Sequence, residues 1–98
     1  MKIDFEYEIN VIEPQLKLAK GYLECEKIII NNIRKHTIKE FDDDSIAEFL
    51  KKLLSYFAIK VEATKQTNDC INYRYAKSFV NTLVATPYWR SWIKTIKI

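Results

Sequence analysis

A nucleophilic enzyme needs an activating base and a group that orients the base, and this chain has a single histidine, His36, to offer as one. His36 follows Arg34-Lys35, which reads as the cationic last turn of a helix, where the helix dipole favours positive charge. The two thiols, Cys25 and Cys70, are far apart in the chain and have no CxxC or Cys/His cluster around them. They are expected to be reduced and packed as small apolar groups. Glu40, Asp42, Asp43 and Asp44 could offer oxygens to a hard cation. They lack calcium-loop spacing, however, and stand directly before Ser45-Ile46-Ala47-Glu48, a capping box whose helix start is favoured by negative charge. Glu24-Cys25-Glu26-Lys27 and the span from Glu62 to Lys65 have the makings of a nuclease carboxylate–lysine pair, without the upstream acid at a strand end that such a site needs. Gly21 is the only glycine, which excludes a glycine-rich phosphate loop. The expectation is a non-enzymatic protein with no catalytic residue, no metal and no cofactor.

Chemistry of another kind is concentrated towards the C-terminus. Residues 1–50 carry a net charge of −4 and residues 51–98 a net charge of +7, so the overall +3 hides two opposite poles. The basic half also interleaves cations with rings, in Tyr73-Arg74-Tyr75-Ala76-Lys77 and in Tyr88-Trp89-Arg90-Ser91-Trp92-Ile93-Lys94. Trp, Tyr and Arg are enriched at the anchors of protein interfaces, which marks Tyr88, Trp89, Arg90, Trp92 and Lys94 as the candidate partner-binding residues. The alternative is single-stranded nucleic acid, with cations on phosphates and rings stacked on bases. Its candidates are Tyr73, Arg74, Tyr75, Lys77, Arg90 and Lys94.

The elements that must position these residues can be read from periodicity. Ile3, Phe5, Tyr7, Ile9 and Val11 alternate with Lys2, Asp4, Glu6, Glu8 and Asn10, the pattern of a half-buried strand. Such a strand needs a neighbour, either the short stretch Lys94 to Ile98 or the same strand of a second copy, which would make a homodimer. Pro14 suits the first position of a following helix, and an apolar face over Leu16, Ala19, Leu23, Ile30 and Ile33 carries that helix to about Lys35. Its rival is a hairpin turning at Lys20-Gly21. The capping box then starts a helix whose face is Ile46, Leu50, Leu53, Phe57 and Val61, running to about Ala63. Asn68 or Asp69 caps a further helix carrying Ile71, Tyr75, Phe79 and Leu83, and Thr86-Pro87 ends it and begins an amphipathic helix over Tyr88 to Ile98.

The predicted fold is therefore a single mainly helical domain over residues 1–98, with three to four helices and an N-terminal β-strand, or an α+β domain if residues 15–40 form hairpins. Apolar residues make up 48% of the chain, with one Gly and two Pro, too much core material and too few chain breakers for disorder. The longest apolar runs, Ile28 to Ile30 and Tyr56 to Ile59, fall far short of the roughly 20 residues of a membrane-spanning helix. The N-terminus has no basic start followed by an apolar stretch. A cytoplasmic protein, of the cell itself or of a host, is expected. The expected partner is a protein or a protein assembly, with nucleic acid as the alternative. A protein with these traits would be an inhibitor, an antitoxin-like regulator, an immunity-type protein or a small assembly subunit, and a composition rich in Ile, Lys and Asn suggests a mobile element as its source.

Overall fold

A computed structural model describes residues 3–38 and 41–86, and these residues form four α-helices joined by short connections. They are α1 (Phe5–Leu18), α2 (Tyr22–Ile38), α3 (Asp43–Ala63) and α4 (Cys70–Ala85). No strand occurs among the described residues, so the predicted N-terminal strand is corrected to a helix. Both patterns share Phe5 and Ile9, but the helix continues through Ile12 and Leu16, and it is Ile9, Ile12 and Leu16 that α1 buries. Tyr7, which a strand would place inward beside Phe5, is 60% exposed. Asp4 caps the helix, its carboxylate accepting from the Tyr7 N–H at 3.2 Å. With residues 5–18 helical, a homodimer formed by pairing of that strand loses its basis.

Pro14, expected at a helix start, instead lies inside α1. A proline there cannot donate to the carbonyl four residues back. The helix absorbs it on an exposed face, where the Gln15 side chain donates to the Val11 carbonyl at 2.8 Å. The single helix or hairpin predicted across residues 14–35 is likewise corrected. The chain does turn at Gly21, but between two helices. Gly21 has φ +111°, a conformation that an L side chain adopts only with strain.

The third and fourth helices lie close to expectation. Capping of α3 begins earlier than the Ser45 box implied: Asp42 is the cap and accepts from the Ser45 N–H at 2.7 Å. The helix ends at Ala63 as predicted, and α4 runs from Cys70 to Ala85 with Asp69 before it and Thr86 after it. The predicted helix over Tyr88 to Ile98 and the strand candidate Lys94 to Ile98 lie outside the described residues.

One core joins all four helices, built from Ile12 and Leu16 of α1, Ile29 and Ile33 of α2, Leu50 and Phe57 of α3, and Phe79 and Leu83 of α4 among others. Each such side chain fully removed from water contributes about 1.5–3 kcal/mol. The packing is uneven. α4 lies against both α3 and α2, and α2 against α1, while the backbones of α1 and α3 hardly approach. The seam between α1 and α3 is closed by rings, with Phe5 edge-on to Phe49 at 6.0 Å and to Tyr56 at 5.9 Å. No helix of the described residues is long and apolar enough to cross a membrane.

Candidate functional site

The polar groups drawn into the interior converge on α1. Glu8 is 5% exposed, and its Oε2 accepts from Asn32 Nδ2 at 2.7 Å and from Lys35 Nζ at 3.0 Å, with His36 Nε2 at 3.7 Å. All three partners come from one face of α2. Burial pushes the Glu8 carboxyl up, but the bonds from Asn32 and Lys35 and the charges of His36 and Lys35 outweigh it and hold the carboxyl below its ordinary value. His36 itself is buried, and its ring meets Phe41 and Phe49 edge-on at 5.5 and 5.1 Å. It thus belongs to the core, near the C-terminal end of α2 as predicted.

A second carboxylate, Glu13, points to the other side of α1. The hydroxyls of Tyr56 and Tyr73 both donate to its Oε2, Tyr73 at 2.8 Å, and Lys60 Nζ lies at 3.6 Å. Burial pushes the Glu13 carboxyl up, and the two tyrosine bonds with the Lys60 and Lys17 charges bring it below its ordinary value. Burial together with the Glu13 contact pushes both phenols well above theirs. Asn72 of α4 completes the attachment of α1, its Nδ2 donating to the Leu16 and Ala19 carbonyls at 2.8 and 3.1 Å and so capping the end of the helix. Sequence reasoning missed this set, taking Glu8 for the wet face of a strand and giving Glu13 no role in a site. A signal was present in the Glu8 to Ile9 and Ile12 to Glu13 pairs, which place both acids beside the apolar stripe of a helix.

These groups hold helices together and present no reactive arrangement to solvent. Among the described residues no three His, Cys, Asp or Glu side chains gather as metal ligands. Cys25 and Cys70 are buried free thiols, and burial pushes the Cys25 thiol up to about 11, which keeps it protonated and inert. Asp42 is occupied as a cap, Glu62 pairs with Lys65 on the surface at 3.5 Å, and Glu40 lies outside the described residues.

The outer surface offers two furrows. The first runs along the α1/α3 seam, walled by Phe5 and Glu6 on one side and by Glu48, Lys51, Lys52, Ser55, Tyr56 and Ile59 on the other. Ile59 stands 68% exposed at its edge. The second lies beside α4, where Val61, Arg74, Lys77, Ser78 and Asn81 line one stretch, and Arg74 continues into another with Lys65, Thr67, Asn68 and Ile71.

The predicted binding residues divide among these places. Arg74 and Lys77 are exposed in the second furrow. Tyr75 is half-buried and meets Tyr22 edge-on at 5.5 Å. Tyr73 is 2% exposed, so its ring belongs to the core and offers no face for a base, a correction to its assignment as a stacking residue. Burial here follows from its hydroxyl finding a partner in Glu13. Tyr88, Trp89, Arg90, Trp92 and Lys94 lie outside the described residues. Compared with protein-family models, curated proteins and solved structures, the chain has no significant match in any of the three.

Proposed function

We propose that this protein is non-enzymatic and works by binding a larger protein partner, as an inhibitor, antitoxin-like regulator, immunity-type protein or small assembly subunit does. The observation that carries the reading is the seam furrow, in which Ile59 is left 68% exposed beside Phe5 and Tyr56. An aliphatic side chain in the open beside rings, rimmed by Glu6 and Glu48 and by Lys51 and Lys52, fits a partner segment that presents apolar side chains flanked by charges of both signs. The aromatic and basic residues Tyr88, Trp89, Arg90, Trp92 and Lys94 supply the chemistry of further anchors.

Affinity capture from source-cell lysate tests this, using the wild type, Ile59→Asp, and the pair Trp89→Ala and Trp92→Ala, each first shown to be folded by circular dichroism. One stoichiometric protein is expected on the wild type, surviving nuclease treatment and moderate salt. A charge in place of Ile59 weakens capture by at least tenfold, as expected of an anchor whose loss costs about 2 kcal/mol. Equal capture by all three proteins would overturn the reading.

A further inference from the structure

The cations of the second furrow stand apart from the seam furrow, and the two furrows share no lining residue among those described. Arg74 and Lys77, three residues apart, project from α4 into one open channel, and Lys65 joins them at its upper end across Arg74. The buried Glu8 and the half-buried Glu13 have their cationic partners in Lys35 and Lys60, and Arg74 and Lys77 have no carboxylate in ion-pair range among the described residues. Among the described residues no acidic side chain lines either stretch of the furrow. The remaining walls carry neutral donors, namely Thr67, Asn68, Ser78 and Asn81.

We infer that this furrow binds the phosphate backbone of a nucleic-acid strand through Arg74 and Lys77. The combination of guanidinium, ammonium, hydroxyl and amide donors is the set that contacts phosphate oxygens. A protein partner with acidic side chains shares the charge, but its anchors require an apolar, desolvated pocket. The furrow is open and encloses no such pocket, and charged or hydrogen-bonding side chains outnumber Val61, Cys70 and Ile71 along it. The contact rests on charge and not on stacking, since among the described residues no aromatic ring lines the furrow, Tyr73 is buried, and Tyr75 is turned towards Tyr22. The contact therefore reads backbone charge and is indifferent to base.

Fluorescence anisotropy with a labelled oligo-dT strand, titrated with the full chain between about 50 and 200 mM salt, tests this. Each phosphate contact to a single strand contributes about −0.7 to the slope of log affinity against log salt. Arg74→Gln with Lys77→Gln should therefore make that slope shallower by about 1.4. A mixed-sequence strand should bind the wild type as oligo-dT does. The pair Lys20→Gln with Lys27→Gln removes the same charge from exposed positions on the opposite half of the chain and should leave slope and affinity near those of the wild type. The inference is overturned if the wild type does not bind, if both double variants weaken binding equally, or if oligo-glutamate of matched charge displaces the strand as well as unlabelled oligo-dT does. Ile59→Asp should leave oligo-dT binding intact, so failure here and failure of the protein-binding reading are separable.

Discussion

Glu8 is an acid in the core, and its tolerance there rests on three partners from one helix. Asn32 and Lys35 donate to it directly and His36 stands behind them. Because the Glu8 carboxyl is held below its ordinary value of 4.5, its ionised form is favoured by folding. That contribution is complete above 4.5, begins to fade as the pH falls through it, and is lost once the pH passes below the lowered native value. Glu13 acts with the same sign. Glu8→Gln keeps the shape but leaves Lys35 facing a neutral amide, and should cost about 1.5–3 kcal/mol at neutral pH, the range for hydrogen bonds to a charged group. Urea unfolding followed from neutral to acid pH checks this. The variant should show a flatter decline than the wild type, with Glu13 and the helix cap Asp42, also held below its ordinary value by its bonds with Ser45, contributing to the remaining slope, and parallel profiles would show that Glu8 does not set the acid sensitivity.

At the scale of the helix, what could be read from the sequence depended on how each element ends. Both ends of α3 were legible because Asp42 to Ser45 and the stretch after Ala63 change composition abruptly, and α4 because Asp69 precedes it and Thr86-Pro87 follows it. α1 was not, since Phe5 and Ile9 satisfy a period of two as well as a period of 3.6, and only Ile12 and Leu16 separate the two. Pro14 compounded the error, because its commonest helical position is the first and here it is inside. Gly21 was correctly suspected of turning the chain, but periodicity could not say whether it joined strands or helices. A Cβ at Gly21 would meet nothing within 4 Å, so the demand is on the backbone alone. Gly21→Ala should therefore destabilise by about 1–2 kcal/mol, the cost of a left-handed residue, and Gly21→D-Ala, made by chemical ligation, should restore the loss. Thermal denaturation of the two variants measures it. Equal destabilisation by both would place the constraint in space and not in φ.

For the whole molecule, the division of labour between interior and surface decides the functional reading. Of the residues marked by the sequence as binding candidates, Tyr73 went to the core because Glu13 gave its hydroxyl a partner, while Arg74 and Lys77 remained in the open. A charge count could not separate these fates, since it records neither which face a ring takes nor which acids will be buried. The seam furrow was invisible for a related reason: it lies where the rings of Phe5, Phe49 and Tyr56 bridge α1 and α3, and α1 had been taken for a strand. That seam is the surface proposed to be covered by a partner protein. Amide hydrogen exchange of the chain, alone and in complex with the captured partner, is the most direct measurement. Slowed exchange in the first turns of α1 and in residues 48–59 of α3, with the mid-portion of α2 unchanged, is the predicted result. Protection confined to α2, or unchanged exchange across α1 and α3 in a complex that remains bound, would contradict it.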